Sequence, residues 1–73
     1  MSMPGMDVDA VRDAEDIDRA FVEMMIPHHE SAVAMATDAK VKGEHAEIRD
    51  LAVAIIADQE REIAQMKAWE ESW

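Results

Sequence analysis

The segment Met24-Met25-Ile26-Pro27-His28-His29-Glu30 places two thioethers and two imidazoles within six positions, with a proline between the pairs. Thioether sulfur is a soft donor that selects Cu(I). Imidazole serves Cu(I), Cu(II) and Zn(II), and a carboxylate is harder, so a mixed Met and His set holds copper in either oxidation state without cysteine. The chain has no cysteine. Neutral imidazole is the ligand form, which predicts binding that weakens as pH falls through the usual histidine range. The competing reading is plain packing: methionine is the adaptable filler of helical cores, and adjacent histidines are common on surfaces. Which reading holds depends on what the fold sets opposite this segment.

Two long helices are predicted to do the positioning. From Ile17 the apolar positions Ile17, Phe21, Met24, Met25, His28, Ala32, Met35 and Ala39 recur at three and four, and the run ends in Lys40-Val41-Lys42-Gly43. Gly43 is the expected stop, in the left-handed conformation that glycine adopts at little cost, with Lys40 and Lys42 complementing the helix dipole. Asp16 or Asp18 is the expected cap of this helix, and Asp7 that of a short segment holding Val8 and Val11. Pro27 removes one intrahelical hydrogen bond from the Glu23 carbonyl, so a kink or restart is expected there. A second helix from about Glu44 carries Ile48, Leu51, Ala52, Ile55, Gln59, Glu62, Ile63, Met66, Trp69 and Trp73 on one stripe. Residues 1–6, with three methionines, Pro4 and Gly5, define no periodic face and are expected to be a flexible lead-in to a single hairpin domain over 7–73.

A turn centred near Gly43 and Glu44 makes the helices antiparallel and pairs residues whose numbers sum to about 87 or 88. His29 then lies level with Gln59, Met25 with Glu62 and Ile63, and Phe21 or Val22 with Met66. Gln59 and Glu62 are polar members of an otherwise apolar stripe, and buried polar groups need partners. Met25, His28, His29 and Met66 are therefore the candidate metal ligands. Met24 and Met35 are alternates on the His28 side, and Gln59 and Glu62 are partners or occasional ligands that orient an imidazole. His45 opens the second helix, roughly 20 Å along the hairpin from His29 at the helical rise, too far to join that site within one chain, so it is read as an N-terminal helix residue, with a second metal site as the alternative.

With 73 residues and a formal net charge of -10, the chain fits one small all-α unit whose core needs help from outside the hairpin. Disulfides are excluded, which leaves a metal or a partner subunit. The expected closure is a homodimer, two hairpins forming a four-helix bundle. Seventeen acidic side chains against seven basic ones make a poor surface for nucleic acid. No apolar run is long enough to span a bilayer, and no export signal is present in the sequence.

The string Met24 to Ala36, "MMIPHHESAVAMA", followed by "EHAEIRDLAVAII" and "QEREIAQMKAW", resembles the domain of unknown function 305 family, a ferritin-like helical group. The match runs from Asp18 to Trp69, and "MPGM" at Met3 to Met6 is similar to the Met-rich lead-in of many relatives. The resemblance implies a helical bundle, frequent export to the periplasm or cell exterior and, for some members, copper binding linked to copper resistance. The family pattern falls on Met25, Pro27, His28, His29, Met35, His45, Gln59, Glu62, Ile63, Met66 and Trp69. Most relatives are longer, often with a second motif-bearing half.

The expected function is copper binding or buffering without turnover, with other transition metals as further candidates. One alternative is a metal-free dimeric interaction module, in which the histidines and Glu62 form a buried hydrogen-bond network that fixes register. A ferritin-like di-iron protein is a weaker alternative, because no Glu precedes a histidine by three positions as such sites require. A haem bundle lacks any attachment motif.

Overall fold

The computed structural model describes residues 8–73; the flexible lead-in expected over residues 1–6 and the cap expected at Asp7 lie outside the described residues. Three helices follow one another: α1 (Val8–Arg12), α2 (Ile17–Lys42) and α3 (Ala46–Ser72). No strand occurs among the described residues. The single turn of α1 rests against α2 and carries an Arg12–Asp9 ion pair at 2.6 Å.

Asp16 caps α2. Its carboxylate accepts from the Arg19 backbone N–H at 3.1 Å, satisfying one of the four free amides of the first turn. The helix then runs unbroken through Pro27, so the restart expected at the proline does not occur. Pro27 and Glu23 are both exposed, which leaves the carbonyl deprived of its donor on the side where water can replace it.

Gly43 ends α2, but in extended conformation (φ -62°, ψ 135°) and not in the expected left-handed one. Its N–H donates to the Ala39 carbonyl at 2.9 Å. Crowding is the reason for glycine: a Cβ here would stand 2.6 Å from the Ala39 carbonyl oxygen and 3.4 Å from both Ile48 Cγ2 and Arg49 Cγ. Arg49 seals the turn by donating through Nη1 to the carbonyls of Gly43 (2.8 Å) and Glu44 (3.1 Å). Gly43→Ala is accordingly expected to destabilise the protein by about 1–2 kcal/mol through this overpacking, read as a lower midpoint of thermal unfolding.

The three-residue turn sets α2 and α3 side by side and antiparallel, and at the far end Arg19 Nη2 donates to the Trp73 carbonyl at 3.4 Å. Val22, His29 and Ala36 are the buried residues of α2; Ala52 and Met66 are those of α3, with half-buried Gln59 midway between them. Each series steps by seven, the spacing of a narrow coiled-coil seam. Counted back from the turn, Ala36 falls level with Ala52, His29 with Gln59 and Val22 with Met66.

That seam differs from the stripe expected on α2. Ile17, Phe21 and Met35 belong to the expected stripe, yet each is at least half exposed, while Val22 and Ala36 take the seam. The apolar surface of α2 is wider than one neighbouring helix can cover. The contact with α3 occupies one flank of it, and the other flank stays open.

Candidate metal centre

His29 is held more firmly than any other candidate ligand. It is 7% exposed, and both ring nitrogens are engaged. Nδ1 lies 2.9 Å from the Met25 carbonyl, one helical turn back, and since a carbonyl only accepts, Nδ1 carries the proton. Nε2 lies 2.6 Å from Glu62 Oε1 across the interface with α3. With Nδ1 protonated, this second contact requires one more proton, shared as imidazolium–carboxylate or as imidazole–carboxylic acid.

The partner of His29 is therefore Glu62, one turn beyond the level residue Gln59. Helical side chains lean toward the N-terminus of their own helix. In an antiparallel pair His29 leans away from the turn and Glu62 leans toward it. The two meet across the axial offset of about 4.5 Å that three residues create.

A cleft of about 250 Å³ opens beside this pair, with Met25, His29, Glu62 and Met66 in its walls together with Phe21 and Trp69. Met66 is buried and Met25 half-buried, so each long helix contributes a methionine to the walls that His29 also lines. Glu62 is the hydrophilic edge, its side chain half exposed.

The remaining candidates are placed elsewhere. His28 is half-buried and sits edge-on to His29, ring centroids 6.2 Å apart at 71°, outside the walls of the cleft. Its Nδ1 is enclosed and has no hydrogen-bond partner. Met24 is half-buried on the His28 side, one position from the Met25 wall. Met35 is 63% exposed and lines a different cleft of about 230 Å³ near the turn, with Ala32, Ala36, Ala39 and Leu51. Gln59 is half-buried and does not line the Met25–Met66 cleft. His45 is the exposed N-cap residue of α3 at the turn; its side chain makes no cap hydrogen bond, and its carbonyl accepts from Ile48 and Arg49.

Sequence reasoning did not foresee the Met25 main-chain carbonyl as the group that fixes the His29 tautomer. The i, i-4 relation between a helical histidine and a carbonyl of the previous turn is the signal that could have found it. Among the described residues no three His, Cys, Asp or Glu side chains converge as a metal site.

The model of DUF305, a domain of unknown function, matches residues 1–70. The chain belongs to the DUF305 family. This DUF305 chain is similar to solved structures of CopM. Against CopM in the Cu(II)-bound form the TM-score is 0.91 at 46% identity, covering 93% of this chain and 46% of that chain. Against the Cu(I)-bound form it is 0.92 at 44% identity, covering 100% and 51% respectively. Against the Ag-bound form obtained by co-crystallization it is 0.90 at 46% identity, covering 93% and 50%. The DUF305 chain thus spans about half the length of the CopM chains it matches. No curated protein matches it. No helix among its described residues is long and apolar enough to cross a membrane.

Proposed function

We propose that this chain binds copper, as Cu(I) in the first instance, through the sulfurs of Met25 and Met66 and Nε2 of His29. The observation that carries this reading is the meeting of two methionines and one histidine in the walls of a single cleft, beside the oxygen donors Glu62 and Gln65, where no three His, Cys, Asp or Glu side chains converge among the described residues. The similarity to CopM supports it, because those structures are of Cu(I)-, Cu(II)- and Ag-bound forms, and Ag(I) shares the soft-donor preference of Cu(I).

The residues divide the work. Nδ1–H of His29, donating to the Met25 carbonyl, leaves Nε2 as the nitrogen that faces a ligand and holds the ring in place. Glu62 occupies Nε2 in the metal-free protein and must give it up, together with the shared proton, when an ion binds. Met25 and Met66 supply soft, uncharged donors. The reading is binding and buffering. Two hairpins closing into a four-helix bundle complete the fold, which is supported by the open apolar flank.

A second reading, a metal-free module, is favoured by one observation: the His29 network is already satisfied without an ion. Titration of Cu(I) against a competing chelator separates the two. One equivalent retained per chain, with Tm raised by on the order of 10 °C when the ion is in excess, is expected for the copper site. Loss of all copper to the chelator and an unchanged Tm would establish the metal-free module instead.

A further inference from the structure

We propose that the indole of Trp69 caps the ion held by Met25, Met66 and His29, meeting it as a cation–π partner on a side that those three donors leave open. The inference rests on the copper reading above and adds to that site a residue whose side chain offers no lone pair.

Besides the three proposed donors, the cleft is walled by Phe21, Glu62, Gln65 and Trp69. Glu62 is engaged with His29, and Gln65 is exposed. The two rings are the apolar remainder of the wall, and among aromatic side chains tryptophan attracts a cation best.

Register and lean separate the two rings. Helical side chains tilt toward the N-terminus of their own helix. Trp69 stands one turn beyond Met66 on α3, so its tilt carries it back over the turn that holds Gln65 and Met66. Phe21 stands one turn before Met25 on α2, and the same tilt carries it away from Met25. His29, which leans away from the turn, bounds the cleft on the turn side. Trp69, leaning toward the turn, bounds it on the opposite side.

Trp73 braces this ring. It lies one further turn along α3, parallel to Trp69 at 3° with ring centroids 6.5 Å apart, and its carbonyl accepts from Arg19 Nη2 at 3.4 Å. The brace thus comes from the side away from Met66. Trp69 lines both the donor cleft and the neighbouring cleft of about 230 Å³ that it shares with Trp73 and Asp18, and with Phe21 it forms the partition between them.

The chemistry suits a soft univalent ion. Thioether and neutral imidazole bring no negative charge to Cu(I), so the ring quadrupole meets a cation that its donors have not neutralised. A ring in that position also takes the place of a water ligand.

Tryptophan emission makes the test direct, because the chain has two tryptophans and no tyrosine. In Trp73→Phe the remaining indole is that of Trp69, and one equivalent of Ag(I), a heavy ion that quenches an indole it touches, is expected to remove most of the emission. In Trp69→Phe the emission of Trp73 is expected to persist. Trp69→Leu is expected to retain one equivalent of Cu(I) per chain but to bind it about five- to thirtyfold more weakly in competition with a chelator, the span of a cation–π contact from half-exposed to desolvated. Trp69→Phe should recover part of that loss. Trp69 emission unmoved by Ag(I) would overturn the cap whatever the affinities, since a packing role alters affinity without ion contact. Quenching of Trp73 in Trp69→Phe as deep as that of Trp69 in Trp73→Phe, or an affinity of Trp69→Leu within about twofold of the unmodified chain, would also overturn it. Each of these failures leaves the copper site standing as long as the unmodified chain retains its equivalent. An unmodified chain that retains neither Cu(I) nor Ag(I) would overturn the copper reading and the cap with it.

Discussion

Replacing Met25 and Met66 together by leucine is expected to lower the affinity for Cu(I) by more than about 100-fold, since loss of even an outer-shell partner costs 10–100-fold. Leucine matches methionine in volume, and such exchanges cost less than about 1.5 kcal/mol, so the hairpin should remain folded. Met66 is 6% exposed and belongs to the seam, which is why leucine and not alanine is the informative replacement. Met35→Leu is the control. Met35 is 63% exposed and lies at the other groove, so its loss should leave Cu(I) affinity within about twofold, well under the tenfold that 1.4 kcal/mol represents. The measurement is competition with a Cu(I) chelator, with helical circular dichroism to confirm folding.

Glu62→Ala should move stability and affinity in opposite directions. In the metal-free protein it removes the 2.6 Å contact to buried His29 and leaves Nε2 without its partner. Hydrogen bonds with a charged partner contribute about 1.5–3 kcal/mol, and discounting for the half-exposed carboxylate gives a loss of about 1–2 kcal/mol. The same contact opposes copper, because an ion at Nε2 has to displace Glu62. Without it the affinity for Cu(I) should rise by up to about tenfold, the equivalent of 1.4 kcal/mol returned to binding. A fall in affinity would instead make Glu62 a ligand.

Much of this arrangement is legible in the sequence, because helical period, caps and a short turn fix both the elements and their register. Spacing narrows the cap to Asp16 or Asp18 and the register to one residue, and the structure selects Asp16 and sets His29 level with Gln59. The site is less legible. Spacing groups His28 with His29, Met24 with Met25 and Met35 with both, but a rotation of about 100° between neighbouring residues sends them to different flanks. Only Met25, His29, Glu62 and Met66 share a cleft.

Three features escaped for identifiable reasons. The conformation of Gly43 depends on Ile48 and Arg49 crowding from the next helix, which no local signal carries. The preference of His29 for Glu62 over Gln59 depends on the opposed lean of side chains in antiparallel helices, a three-dimensional effect laid over a one-dimensional register. The seam through Val22, His29 and Ala36 was hidden within a wider apolar surface, and periodicity does not say which flank of such a surface meets the neighbouring helix.

The central claim is that the two cleft methionines, and not the others, hold the ion. The most direct measurement is nuclear magnetic resonance of the chain labelled with ¹³C at the methionine methyl groups, titrated with Ag(I) as the redox-inert counterpart of Cu(I). The account predicts that the methyl signals of Met25 and Met66 shift together and saturate at one equivalent, ahead of Met35 and Met24. Saturation of Met24 and Met35 first, with Met25 and Met66 unmoved at one equivalent, would contradict it.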